Sequence, residues 1–272
     1  MNSDDSIIQQ CLAEIQNRAE ELSRFPIRFD IHSADSGLVS STEVAWKRGL
    51  NYHVIKTNES LSLPEKHHAK AHELYHIILE AEARAHGSNR FINFNQDSHL
   101  CAVEDVVSEL DELLSVYPKP EELGPVIQQV IEETVALLYN IPLDIIIEDL
   151  IYKNHAVLAE AQRAGEIKTL KLNLASISDQ TNRRFLPASI IGIKQQLYAA
   201  YALSADRRWN GELAAFHSYD KIGDMGKAPE IFNFASSTAA IRSPGSEYDL
   251  IARIGEELNM TSWFAWKDDE MK

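Results

Sequence analysis

The stretch Ser62-Leu63-Pro64-Glu65-Lys66-His67-His68-Ala69-Lys70-Ala71-His72-Glu73-Leu74-Tyr75-His76 decides how the chain is read. Its first residues announce a helix. Ser62 and Glu65 have the spacing of a capping box, and Pro64 falls in the first turn, where its missing N–H costs nothing. The pattern that follows predicts a helix over 63–84, closed by Gly87-Ser88. Its last five residues are an H-E-x-x-H sequence. Four residues turn a helix by about 400°, so His72 and His76 share one face, one turn apart. Two neutral imidazoles so placed suit a tetrahedral Zn²⁺, which in catalytic sites takes three protein ligands and keeps one position open for water. Glu73 borders the same face and is placed to take a proton from such a water.

Two histidines need a third ligand. The fixed-spacing alternative, a further histidine after a glycine turn, is absent: Leu79 and Glu82 stand at those positions. A downstream carboxylate is therefore expected. A helix predicted over 100–116 carries Glu104, Asp105, Glu109, Asp111 and Glu112, with Leu100, Val103, Val107, Leu110 and Leu114 as its apolar face. Only Glu104 and Asp111 border that face, and Glu104 is preferred, 28 positions after His76 (104 − 76). Glu132 and Glu133 stand in reserve.

Before the motif, the pattern predicts a helix over 6–24 ended by Pro26 and a strand over 27–31. A turn is expected at Ser36-Gly37, then a hairpin of 43–48 and 52–56 around Gly49-Leu50-Asn51. After it come a short strand over 90–95 and helices over 123–139 and 143–153, with Pro142 as the break between them. Beyond residue 164 the expectations are a strand over 167–174, a helix over 187–203, a loop over 221–245, a helix over 246–258 and a strand over 262–266. The class is α+β, divided into residues 1–155 and 165–272.

The run Ile55-Lys56-Thr57-Asn58-Glu59-Ser60-Leu61-Ser62-Leu63-Pro64-Glu65-Lys66, followed by Ala71-His72-Glu73-Leu74-Tyr75-His76, resembles the ImmA/IrrE family of metallopeptidases over about residues 27–150. The resemblance implies a zincin-like peptidase domain with a mainly helical C-terminal extension, a zinc held by His72, His76 and Glu104, and Glu73 as general base. It also implies cleavage of an intracellular protein, often a regulator. The chain departs from the family in having Tyr75 before the second histidine and Val106-Val107-Ser108 after Glu104.

Composition agrees with that class. The chain has 272 residues, 44% of them hydrophobic, enough for a sizeable core. A formal net charge of −15 argues against a nucleic-acid partner, because phosphate backbones are repelled. Two cysteines without a CxxC pair suit a reducing compartment. No signal-like or membrane-spanning run is evident, so a cytoplasmic zinc metalloendopeptidase acting on a protein substrate is expected. The contrasting expectation is a regulatory binding protein that keeps the metal scaffold and acts by contact; only the enzyme needs Glu73.

Overall fold

The computed structural model describes residues 3–33, 38–117, 119–223 and 225–269; the turn expected at Ser36-Gly37 lies outside them. Helix α1 (Ser3–Ser23) leads into strand β1 (Ile27–His32), then β2 (Ser40–Glu43), a single turn of helix α2 (Ala45–Arg48) and β3 (His53–Asn58). The three strands form a sheet in the order β1-β3-β2. β1 is parallel to β3, and β2 is antiparallel to β3 at one edge. The hairpin arm expected over 43–48 is therefore strand only to Glu43. The chain then coils into α2, which Gly49 closes at φ 65°, a backbone conformation that favours glycine.

Helix α3 (Leu63–Ala85) carries the H-E-x-x-H sequence. The Glu65 carboxylate accepts the Ser62 N–H at 2.7 Å, which starts the helix where the capping box predicts. Ala71, Leu74, Ile77, Ile78, Leu79 and Ala83 are almost fully buried, and they do not lie on one stripe. A helix apolar on so much of its circumference belongs inside the protein. Helix α1, the sheet and later helices pack around it.

Strand β4 (Arg90–Asn93) precedes α4 (Gln96–Val116) and then α5 (Pro120–Asn154). The break expected at Pro142 does not occur: α5 runs unbroken through both Pro125 and Pro142. A proline inside a helix forfeits one hydrogen bond and costs about 3 kcal/mol. Here Leu138, Ile141, Leu143, Ile145, Ile146 and Ile147 are all nearly inaccessible to solvent, and each such side chain contributes roughly 1.5–3 kcal/mol by burial. Packing on both sides of the proline outweighs the local penalty.

A short 3-10 turn (Ala156–Leu158) leads to α6 (Ala159–Ser178), α7 (Gln180–Phe185), α8 (Ala188–Arg208), α9 (Ala215–Asp220), α10 (Ala228–Ala240) and α11 (Ser246–Glu257). Strand β5 (Ala265–Asp268) pairs antiparallel with β4. The strand expected over 167–174 is thus helix, and the loop expected over 221–245 contains α10. In α6 the buried positions Ala161, Gln162, Gly165, Glu166 and Leu170 recur at helical spacing. Two of them are polar and one is glycine, so a hydrophobicity pattern does not register the period. One apolar cluster runs from Cys11 to Phe264, so packing is continuous across the division expected near 155–165. Among the described residues no helix is long and apolar enough to cross a membrane.

Candidate metal centre

Helix α3 presents His68, His72, His76 and Glu80 at successive four-residue intervals along one face. Helix α5 lies across that face and offers Asp144 and Glu148, also four residues apart. His72 Nε2 and His76 Nε2 are 3.1 Å apart. Asp144 Oδ1 is 3.3 Å from the first and 3.2 Å from the second. Ligand atoms at about 2.0–2.1 Å from a tetrahedral zinc stand about 3.3 Å from one another. The three atoms therefore form a triangle of the size one cation needs.

Asp144 Oδ1 is buried, and its close contacts with both imidazoles lack the alignment of hydrogen bonds. A buried carboxylate oxygen without a donor is costly, and a cation between the three atoms removes that cost. The electrostatics agree. Burial opposes a charge on His72, but Asp144 and Glu148 overcome it and hold its pKa well above the ordinary value. Burial likewise raises Asp144, and His72 and His76 more than reverse this, leaving it lowered. The cluster attracts positive charge, and the residues present fit a divalent metal ion.

Glu148 orients His72. Its carboxylate is fully buried, and Oε1 lies 2.8 Å from His72 Nδ1. That contact requires the proton of neutral His72 on Nδ1 and leaves the Nε2 lone pair facing His76 and Asp144. His68, His72 and Glu148 also lie close enough together to hold an ion. Ordinary hydrogen bonds account for that group: the carboxylate accepts from both histidines. Behind it, Glu166 is paired with Arg208 and Trp209. Burial, opposed by Arg208, pushes its pKa up to about 7.

Glu73 is buried beside the triangle. Its Oε1 accepts the Ser40 hydroxyl and its Oε2 the Thr42 hydroxyl, each at 2.6 Å. Both donors lie on the edge strand β2, so the sheet fixes the carboxylate's direction. Glu73, His72, His76 and Asp144 line one cleft of about 1100 Å³. Strand β2 forms one wall. Helices α6 and α8 form another, with Tyr198 and Tyr201 lining it.

The structure thus brings His72, His76 and Glu73 together and leaves Glu104 out. Glu104 is exposed on α4 and belongs to no metal-capable cluster among the described residues. The physical reason is the rotation of α4. Its packed face is Ala102, Val106 and Leu113, whereas Leu100, Val107 and Leu114 are about half exposed. The face assumed to point inward is turned partly to solvent, and Glu104 turns with it. Asp111, Glu132 and Glu133 are exposed as well. The carboxylate that faces His72 and His76 is Asp144. A signal for it exists in Ile141-Pro142-Leu143-Asp144-Ile145-Ile146-Ile147-Glu148: two acids one helical turn apart inside an apolar run.

His67 and His68 are buried, and His68 bonds Glu148. Tyr75 is bonded through its hydroxyl to His155 at 2.8 Å and does not line the cleft. Compared with protein-family models, with curated proteins and with solved structures, the chain matches none.

Proposed function

We propose that this protein is a metal-dependent hydrolase that cleaves a peptide bond in a protein substrate, with zinc as the metal and a zincin-like arrangement around it. The observation that carries the reading is the convergence of His72 Nε2, His76 Nε2 and Asp144 Oδ1 beside a buried Glu73 in one large cleft. A bound Zn²⁺ supplies Lewis acidity and brings the pKa of a water down towards roughly 7.

The chain's own groups do the rest. Ser40 and Thr42 hold the Glu73 carboxylate on the cleft side of α3, where it accepts the proton of the attacking water and returns it to the leaving amine. Strand β2 is an edge of its sheet and forms a wall of the cleft, so an extended peptide can pair with it and lie across the metal ligands. A hydroxyl donor for the developing oxyanion is available from α8 in Tyr201, whose proton burial keeps in place. The net charge of −15 favours a protein over a nucleic acid as the partner, and two free cysteines suit the cytoplasm.

The test combines metal analysis with proteolysis. The purified chain is expected to hold about one equivalent of zinc, lost in His72→Ala. Glu73→Gln is expected to retain the metal and lose cleavage of an unfolded protein such as casein. A chain that binds no divalent metal refutes the reading. Full biological activity of Glu73→Gln replaces it with action by contact.

A further inference from the structure

Behind the metal ligands, a second layer of polar groups ties the centre to α6. Glu148 is fully enclosed, and donors surround its carboxylate. His68 Nε2 lies 2.8 Å from Oε1 and 3.0 Å from Oε2. His72 Nδ1 lies 2.8 Å from Oε1. The Gln162 side-chain NH₂ donates to Oε2 at 2.7 Å and to the Glu148 backbone carbonyl, also at 2.7 Å. Both acceptors need N–H groups, so the amide orientation is dictated by chemistry. Its other end, Oε1, is buried without a hydrogen bond. The fold tolerates an unsatisfied oxygen in order to place two donors on Glu148.

Gly165 belongs to the same device. It lies on α6, one turn from Gln162. A Cβ on Gly165 would meet His68 Nδ1 at 1.9 Å. Glycine is therefore what lets the His68 ring lie against α6 while its Nε2 reaches Glu148. Gln162, Gly165 and His68 supply no ligand atom to the triangle of His72, His76 and Asp144. They act on the carboxylate that sets the tautomer of His72.

We propose that Gln162 and His68 are positioning residues which, through Glu148, hold His72 Nε2 on the metal, so that α6 sets the metal affinity of a centre to which it gives no ligand. The inference rests on the reading of His72, His76 and Asp144 as the metal site. A buried carboxylate deprived of a donor turns towards the donors that remain, and that turn releases His72 Nδ1. The helix that follows the peptidase-like half of the chain is then a working part of its metal centre.

The experiment is a titration of the full-length, metal-free chain with Co²⁺, followed by visible absorption, with Zn²⁺ competition to give affinities. Gln162→Met removes both donors at similar volume and is expected to weaken metal binding 10–100-fold, as is Glu148→Gln. Leu170→Ala, which loosens the packing of α6 but leaves the donors, is the control and is expected to keep wild-type affinity and spectrum. Should Gln162→Met fail to fold, His68→Phe removes the other donor and is expected to show the same loss. Wild-type affinity in Gln162→Met or in its stand-in His68→Phe, or an equal loss in Leu170→Ala, overturns the proposal. A wild-type chain that binds neither ion overturns the metal site itself, an outcome distinct from the other two.

Discussion

Replacing Asp144 by alanine, with Glu104→Ala as its partner experiment, separates the ligand set that packing produces from the one that spacing suggests. Asp144 Oδ1 completes the triangle with His72 and His76 and is the only anionic atom in it. Loss of a residue that merely supports a ligand costs about 10–100-fold in affinity, so loss of the ligand itself is expected to cost more than about 100-fold, or about 3 kcal/mol. In the metal-free chain the effect is small. Removing a buried oxygen that has no hydrogen bond relieves about 1–3 kcal/mol, against which the attraction of Asp144 for His72 and His76 is lost. A metal at 100 times its Kd stabilises the wild-type chain by about 2.7 kcal/mol. At about 2–4 °C per kcal/mol for a chain of this size, that raises Tm by roughly 5–10 °C. Differential scanning fluorimetry with and without Zn²⁺ is the assay. Asp144→Ala is expected to abolish the rise while moving the metal-free Tm by only a few degrees, and Glu104→Ala is expected to keep the whole rise. Retention of the rise in Asp144→Ala together with its loss in Glu104→Ala refutes the assignment.

Three further outcomes are expected. Burial holds His53 neutral in the folded chain, with its pKa lowered from 6.5 to about 4. The unfolded chain therefore binds the extra proton first: this stabilisation is complete above about pH 6.5 and about 3 kcal/mol of it disappears as pH falls towards 4. Urea midpoints across that window check it, and His53→Gln should flatten the dependence. Ser40→Ala combined with Thr42→Val should leave the zinc content unchanged and slow casein cleavage by about 10-fold or more, because Glu73 loses both hydroxyl donors that aim it; unchanged cleavage removes β2 from the mechanism. Tyr201→Phe should lower kcat about 100-fold at constant KM and constant metal content, as removal of an oxyanion donor does. A change confined to KM would make Tyr201 a binding residue instead.

Buried polar groups explain why these effects concentrate in one region. Glu73, Glu148, Gln162 and Glu166 are all nearly or wholly enclosed, yet they lie within or beside the same cleft. A protein interior tolerates such groups only when donors and acceptors close around them. Here the donors come from β2, α3, α6 and α8, elements far apart in the chain. The continuous course of α5 through Pro142 is part of the same arrangement, since it carries Asp144 and Glu148 past the His72–His76 face at the correct turn.

Local rules in the chain were sufficient for α3. The Ser62–Glu65 cap, the Pro64 position and the four-residue interval of His72 and His76 act within a turn or two, and they already placed both imidazoles and Glu73 on adjoining faces. The early strands β1 and β3 were legible for the same reason. The carboxylate that faces the two imidazoles was not, because the choice between Glu104 and Asp144 depends on which helix crosses α3 and how each is rotated. Those are properties of packing between segments distant in sequence. Apolar periodicity turned α4 the wrong way because part of its apolar face stays in water. It divided α5 at a proline that burial overrides, and it read α6 as a strand because Gln162, Gly165 and Glu166 hide the helical period. Where buried positions are apolar, hydrophobicity traces the fold; around this centre they are polar or glycine, and only the assembled structure supplies the partners that permit it.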